Sequence, residues 1–320
     1  MGARSLGTMK IAAGIKEVRW MGAGAAALLV FVLVMLHLRK DENPTAQLAF
    51  KARRVDLAGR MQLDLASASE AEKSAVLATT DRDSQTLADQ SRAASAKVEQ
   101  ERVELGELLT AGGTQGEKEL LTQFTASFTD FQRVDNELLA LAVKNTNVKA
   151  YSLAFGPAAG ALDEMIAALD RLMAANSDSS DAKAVMRLAF HAQVGALRIQ
   201  ALLPPHIAEE SDRRMDALEA SMAAEDKQVR ESLDGLSGLA KVSKDPDLAT
   251  ARARYADFGR IRTQILAFSR ENTNVRSLSI SLNEKRKVML VCQAALSALQ
   301  QAILAEPIEG TTYGTPVRPR

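Results

Sequence analysis

The chain reads as an all-α protein in which an N-terminal transmembrane helix is followed by two tandem up-down-up-down four-helix bundles. Three observations predict this. Helix formers dominate, while aromatic residues make up only 4% and only 8 of 320 residues are Pro, a balance that argues against a sandwich or a doubly wound sheet. Residues 20–38, WMGAGAAALLVFVLVMLHL, form a run without formal charge if His37 is neutral. Beyond it, apolar residues recur at alternating steps of four and three, and this seam repeats 127 residues later.

The 20–38 run has 19 residues, close to the roughly 20 that a bilayer core requires. A cleavable signal peptide would have an apolar region of about 7–15 residues and a small-residue cleavage site. Here the run ends in Leu38-Arg39-Lys40-Asp41-Glu42. The reading is an uncleaved anchor preceded by a cytoplasmic N-terminus over 1–19. Orientation is left open, because Lys and Arg flank the run on both sides. No later run is expected to span, which gives a single crossing.

From Asn43-Pro44-Thr45 onward the pattern is amphipathic. One helix is expected from about 45 to 79, and a second, capped at Asp81, to about 110. AGGTQG (111–116) is a loop, with three Gly in six residues. A third helix runs from about 117 to 155 and should stop at Gly156-Pro157. A fourth runs from 158 to about 175, and the polar NSDSSD (176–181) closes a first bundle over 45–175. The second bundle, 182–305, repeats the plan. Its helices span about 182–203, broken at Pro204-Pro205, then 211–240, 247–282 and 284–305, with KVSKDPD (241–247) as a loop. The Pro/Gly/Thr-rich residues 306–320 read as a disordered tail.

The repeat is visible residue by residue. The seam Phe131, Val134, Leu138, Leu141, Asn145, Val148, Ser152, Phe155 becomes Phe258, Ile261, Ile265, Phe268, Asn272, Val275, Ser279, Leu282. Leu162, Met165, Leu169 and Leu172 become Met289, Cys292, Leu296 and Leu299. Asn145-Thr146-Asn147-Val148 and Asn272-Thr273-Asn274-Val275 are identical. Asn and Thr are mediocre helix formers, so keeping them twice at seam positions requires a reason. A seam Asn can set register, and that is the preferred reading. Alternatively Asn145, Thr146, Ser152, Asn272, Thr273 and Ser279 line a small ligand cavity in the bundle core, flanked by Asn147 and Asn274. A helix kink or a contact between bundles is the third reading.

Other chemistry is sparse. His37, His191 and His206 form no ligating pair, and the single Cys292 excludes a disulfide framework or a Cys-based zinc site. Cys292 falls on the seam, as a buried small hydrophobe. There is no Walker loop, dinucleotide fingerprint, haem attachment or nucleophile elbow. No catalytic residue, metal site or cofactor is expected, and the protein is read as not an enzyme. The 40 basic and 40 acidic residues cancel, which argues against nucleic acid as a partner.

The Asn-Thr-Asn-Val-Lys/Arg segments, LLPPHIAEESDRRMDALEA (202–220) and NEKRKVMLVCQAALSALQQAI (283–303) are similar to stretches of the methyl-accepting-chemotaxis-protein-like four-helix-bundle sensor domain of the HlyB-like type. The resemblance covers about 45–305. It implies a bacterial inner-membrane, single-pass protein with its bulk in the periplasm. It further implies a homodimer that senses a small-molecule ligand and relays the signal to a partner protein. Unlike a chemoreceptor, the sequence carries no kinase motif or signalling hairpin. The competing reading is a scaffolding membrane protein without a ligand; a lipid- or cofactor-binding bundle is a third.

Overall fold

The structure is a computed structural model and describes residues 44–308. The expected cytoplasmic segment 1–19, the anchor 20–38 and all but the first residues of the tail lie outside the described residues. Those described are helical without strands: α1 Pro44–Leu77, α2 Asp81–Gly112, α3 Gln115–Ala142, α4 Thr146–Leu153, α5 Ala159–Ala175, α6 Ala182–Ile207, α7 Asp212–Ser237, α8 Pro246–Glu271, α9 Thr273–Ile280 and α10 Arg286–Ala305. Two π-helical turns, Ala154–Ala158 and Ser281–Lys285, join α4 to α5 and α9 to α10.

Local chemistry explains the starts. Thr80 caps α2, its Oγ1 accepting from the Asp83 amide at 3.1 Å, one residue before the expected cap. Thr114 and Glu117 form a reciprocal capping box on α3, with bonds of 3.2 and 2.9 Å. Asp245 caps α8, accepting from Asp247 N at 2.8 Å, with Pro246 in the first turn.

Two expected breaks are corrected. Gly156-Pro157 does not end a helix. It lies in the 154–158 π turn, where the widened backbone accommodates the proline and the chain continues as α5. Gln200 Nε2 gives the Ala154 carbonyl a side-chain donor at 2.6 Å. Pro204 and Pro205 lie inside the last turn of α6, so the helix persists to Ile207. Few i→i−4 bonds remain to be lost that close to a helix end.

By backbone contacts the chain divides into two compact units. The first comprises residues up to 62, 99–125 and from 294 onward. Leu57, Met61, Leu105, Leu109, Phe124 and Leu299 are buried in it. Arg54, 2% exposed, donates to Glu117 at 2.8 Å and pairs with Glu306. Lys51 Nζ donates to the Leu304 carbonyl at 2.7 Å, and Ile308 is buried. Residues 306–308 are thus anchored, which corrects the expectation of a disordered tail at its first residues.

The second unit comprises 63–98 and 126–293. Within it α5 packs on α6 and α8, α6 on α7, and α7 on α8, closing a four-helix bundle around Leu169, Ala192, Ile199, Val229, Tyr255 and Phe258. A second cluster joins α1, α2 and α3 through Ala75, Val76, Ala88, Leu138, Leu139 and Ala142, with Ile280 of α9 against it. The expected division into 45–175 and 182–305 follows chain order, and the packing differs from it. Helix α5, expected as the fourth helix of the first bundle, closes the bundle of α6, α7 and α8 instead. The seam residues Leu162, Met165, Leu169 and Leu172 are buried as expected; periodicity gives the buried face of a helix, not its partner.

The 246–305 stretch is long and apolar enough to cross a membrane by length and composition. Phe258, Ile265, Cys292, Leu296 and Leu299 on it are fully buried, and Arg252, Arg254 and Arg260 pair with acids on it and its neighbours. It is a core helix.

Gly195 on α6 lets α7 approach. A Cβ there would lie 2.7 Å from Val229 Cγ2. Gly195→Val should therefore destabilise the protein by about 1–3 kcal/mol through overpacking, measured by urea unfolding of the detergent-solubilised chain.

Candidate functional site: an asparagine–threonine clasp

The repeated segments meet. Asn145 and Asn272 adopt the left-handed conformation, with φ 49° and 54°, and among the described residues they are the only non-glycine residues with positive φ. Asn tolerates this region better than most side chains. Each ends one helical run and starts the next: Asn272 N donates to Phe268 O at 3.3 Å, and its carbonyl accepts from Arg276 N at 3.0 Å. The Asn145 carbonyl accepts from Lys149 N at the same distance.

A left-handed residue exposes the first amides of the helix that follows, which have no intrahelical acceptor. Here each segment satisfies those of the other. Thr146 N donates to Thr273 Oγ1 at 3.2 Å, and Thr273 N to Thr146 Oγ1 at 3.0 Å. Asn147 N donates to Asn274 Oδ1, and Asn274 N to Asn147 Oδ1, both at 3.1 Å. Asn147 Nδ2 donates to Asn272 Oδ1 at 2.7 Å, and Asn274 Nδ2 to Asn145 Oδ1 at 3.0 Å. The two hydroxyls lie 3.2 Å apart and share a hydrogen bond. The pattern is reciprocal, so α4 and α9 are related by a local twofold.

The outer contacts differ between copies. Asn147 Nδ2 also reaches Ile207 O at 2.6 Å, and Asn272 Nδ2 reaches Glu209 O at 2.7 Å, tying the α6–α7 turn to the clasp. Asn145 Nδ2 instead donates to Asp81 Oδ1 at 3.2 Å at the start of α2, where Lys149 pairs with the same carboxylate at 2.9 Å. Lys149 and Asn145 together hold the Asp81 carboxyl below its ordinary range. His206, fully buried, braces the α6 end through Ser269 Oγ at 2.8 Å and Glu219 at 2.9 Å.

Four of the six residues expected to line a ligand cavity, Asn145, Thr146, Asn272 and Thr273, come together here and are buried; Thr146 and Thr273 bond to each other, and Asn145 and Asn272 accept from Asn274 and Asn147. Ser152 and Ser279 do not join them: Ser152 is exposed and Ser279 is half-buried. The left-handed break explains this. It rotates the following helix, so that Ala150 and Ala154 face inward instead of Val148 and Ser152. The π turn, with one extra residue, restores the register by Leu162. Asn147 and Asn274, expected only to flank the layer, supply its central bonds, and their sequence signal was the four-letter identity itself. Beside the clasp lies a cavity of about 320 Å³, lined by Val76, Leu77, Tyr151, Ile207, Val275 and Leu278 among others.

Asn272→Ala should cost about 2–4 kcal/mol, and Asn272→Gly less, since glycine keeps the left-handed backbone while both lose the side-chain bonds. In a double-mutant cycle, Thr146→Val and Thr273→Val should couple by about 0.5–3 kcal/mol; urea unfolding of the single and double variants measures both.

Residues 59–185 match the model of the four helix bundle sensory module for signal transduction. No curated protein matches the chain, and no solved structure does. The matched segment runs from α1 through α5 into α6, in chain order through the first copy of the clasp. Over those residues the chain is similar to the four helix bundle sensory module for signal transduction.

Proposed function

We propose that the protein is a membrane-anchored sensor in which the clasp transmits a ligand-induced shift between α4 and α9. The anchor at 20–38 would hold it as a single-pass protein of a bacterial inner membrane, with the bundles in the periplasm and two copies associating. The observation that carries the reading is the reciprocity of the clasp. Neither segment can slide without breaking bonds made by the other, so the helix pair has a few discrete arrangements instead of a continuum, as a two-state transmitter requires. The chain would hand its signal to a partner protein.

The cavity beside the clasp is the proposed ligand site. Its walls are mainly apolar, with Asn147 and Asn274 at the edge, which suits a small organic molecule with an apolar body and one polar end. The second reading, a scaffold without a ligand, is favoured by one observation: the clasp side chains already satisfy one another.

A thermal-shift screen of the full chain in detergent against amino acids and small organic acids separates the two. On the sensor reading one compound class raises Tm in a concentration-dependent way, and Leu278→Trp, which fills the cavity, abolishes the gain. If no compound shifts Tm, the scaffold reading stands.

A further inference from the structure

Three ionisable side chains are buried together in the second unit, away from the clasp and its cavity. Lys285, the last residue of the 281–285 π turn, is 1% exposed, Asp135 on α3 is 2% and Glu72 on α1 is 0%. Lys285 Nζ donates to Asp135 Oδ1 and lies 3.1 Å from the centroid of the Phe131 ring. The other Asp135 oxygen faces Ser91 Oγ at 3.3 Å. Lys285 and Asp135 therefore satisfy each other. Glu72 is the supernumerary group: neither of its oxygens has a hydrogen-bond partner of good geometry. One cation thus faces two carboxyls in a buried interior, and a second negative charge there would be uncompensated.

We propose that Glu72 is a proton-binding site, and that its ionisation is coupled through Lys285 to the geometry of the 281–285 π turn and hence to the helix that leads from the clasp. In the folded state the site holds Glu72 as the neutral acid. When the proton leaves for solvent, the new carboxylate competes with Asp135 for the Lys285 ammonium. Lys285 is the end residue of a turn with one residue more than an α-helical turn, and moving its stem shifts that turn. The duplicated position is Ala158, which ends the 154–158 turn and has no charge to move. The device therefore belongs to one copy only.

The groups facing Glu72 are few. Burial drives its carboxyl above the ordinary range; the Ser281 hydroxyl and the Lys285 ammonium oppose this, Asp135 adds to it, and Lys73 opposes it weakly. Burial drives the Lys285 ammonium down against Asp135, Glu72 and the Cys292 thiol; Ser127 and Asp130 face Cys292. The sign follows. An acid raised in the folded state contributes stability that is complete below its unfolded value, near 4.5, and that is lost as pH rises through the folded value. Lys285, lowered, has the opposite slope, in the alkaline window below 10.5.

The test uses the full chain in detergent. Wild type should lose Tm as pH rises above the ordinary carboxylate range, and Glu72→Gln and Glu72→Met should each flatten most of that slope. The infrared difference spectrum of wild type minus Glu72→Gln at neutral pH should contain the carbonyl band of a protonated acid. Amide exchange across 281–285, corrected for intrinsic pH dependence, should rise with pH in wild type and stay level in Glu72→Gln. A carboxylate band in place of the acid band overturns the proposal, as does a slope retained by both variants. Unchanged exchange at 281–285 in wild type overturns the coupling to the turn. No ligand or partner enters any of these readouts, so their outcome is independent of the ligand screen.

Discussion

The second unit depends on how two helix starts are satisfied. A left-handed asparagine leaves the next amides without acceptors inside the helix, and burial forbids water as the substitute. The side chains two residues on could cap their own helix only if exposed. Placed against an identical segment, they cap each other's, and the threonine hydroxyls and asparagine amides fit because both segments carry the same letters. This explains why Asn-Thr-Asn is kept twice, with no slack. A change in one copy orphans a donor in the other, and an orphaned buried donor costs more than the bond contributed.

The pairing also governs the route of the chain. After α3 the backbone passes Asn145 and continues as α4 and α5 into the bundle of α6, α7 and α8. After α8 it passes Asn272 and continues as α9 into contact with the cluster of α1, α2 and α3. Each repeat thus sends its last segment to the other's helices. The match to the sensory module runs contiguously through 59–185 and takes in α5, which packs on the second repeat. The π turns lie at corresponding places, 154–158 and 281–285. Pro157 cannot be their common cause, because its counterpart is Glu284. Their shared role is phase: they return the buried face to the seam after the left-handed residue has rotated it.

Much of this was legible in the sequence, and the limits have physical origins. Helical class, most helix starts and the buried faces of α3, α5 and α10 follow from periodicity, because burial of Phe131, Leu138, Met165, Cys292 and Leu296 obeys local spacing. The exchange of segments is not legible, since an apolar stripe fits any complementary stripe. Gly156-Pro157 and Pro204-Pro205 misled because their breaking power assumes α geometry or a mid-helix position. Ser152 was misplaced by a backbone angle that the seam count ignores. The letters of the clasp were visible, but their meaning depended on two segments 127 residues apart being each other's ligands.

The frame is symmetric while the charges inside it are not. Asp135 occupies the place of Arg262 in the other copy, and Phe131 that of Phe258. Asp135 is answered by Lys285 from the π turn. Arg262 is answered by Asp226 at 3.1 Å, which also accepts from Tyr255 at 2.6 Å and pairs with Arg230 at 2.7 Å. There burial raises the Asp226 carboxyl, but Arg230, Tyr255 and Arg262 outweigh it and the group lies below its ordinary range. One copy holds an acid saturated with donors, and the other an acid with none to spare. Asp135 and Lys285 are buried, whereas Asp226 and Arg262 are only half-buried, so the desolvation cost falls mainly on the first copy. A duplicated scaffold in which one half is electrostatically complete and the other lacks a counter-charge responds unequally to the same change in its surroundings.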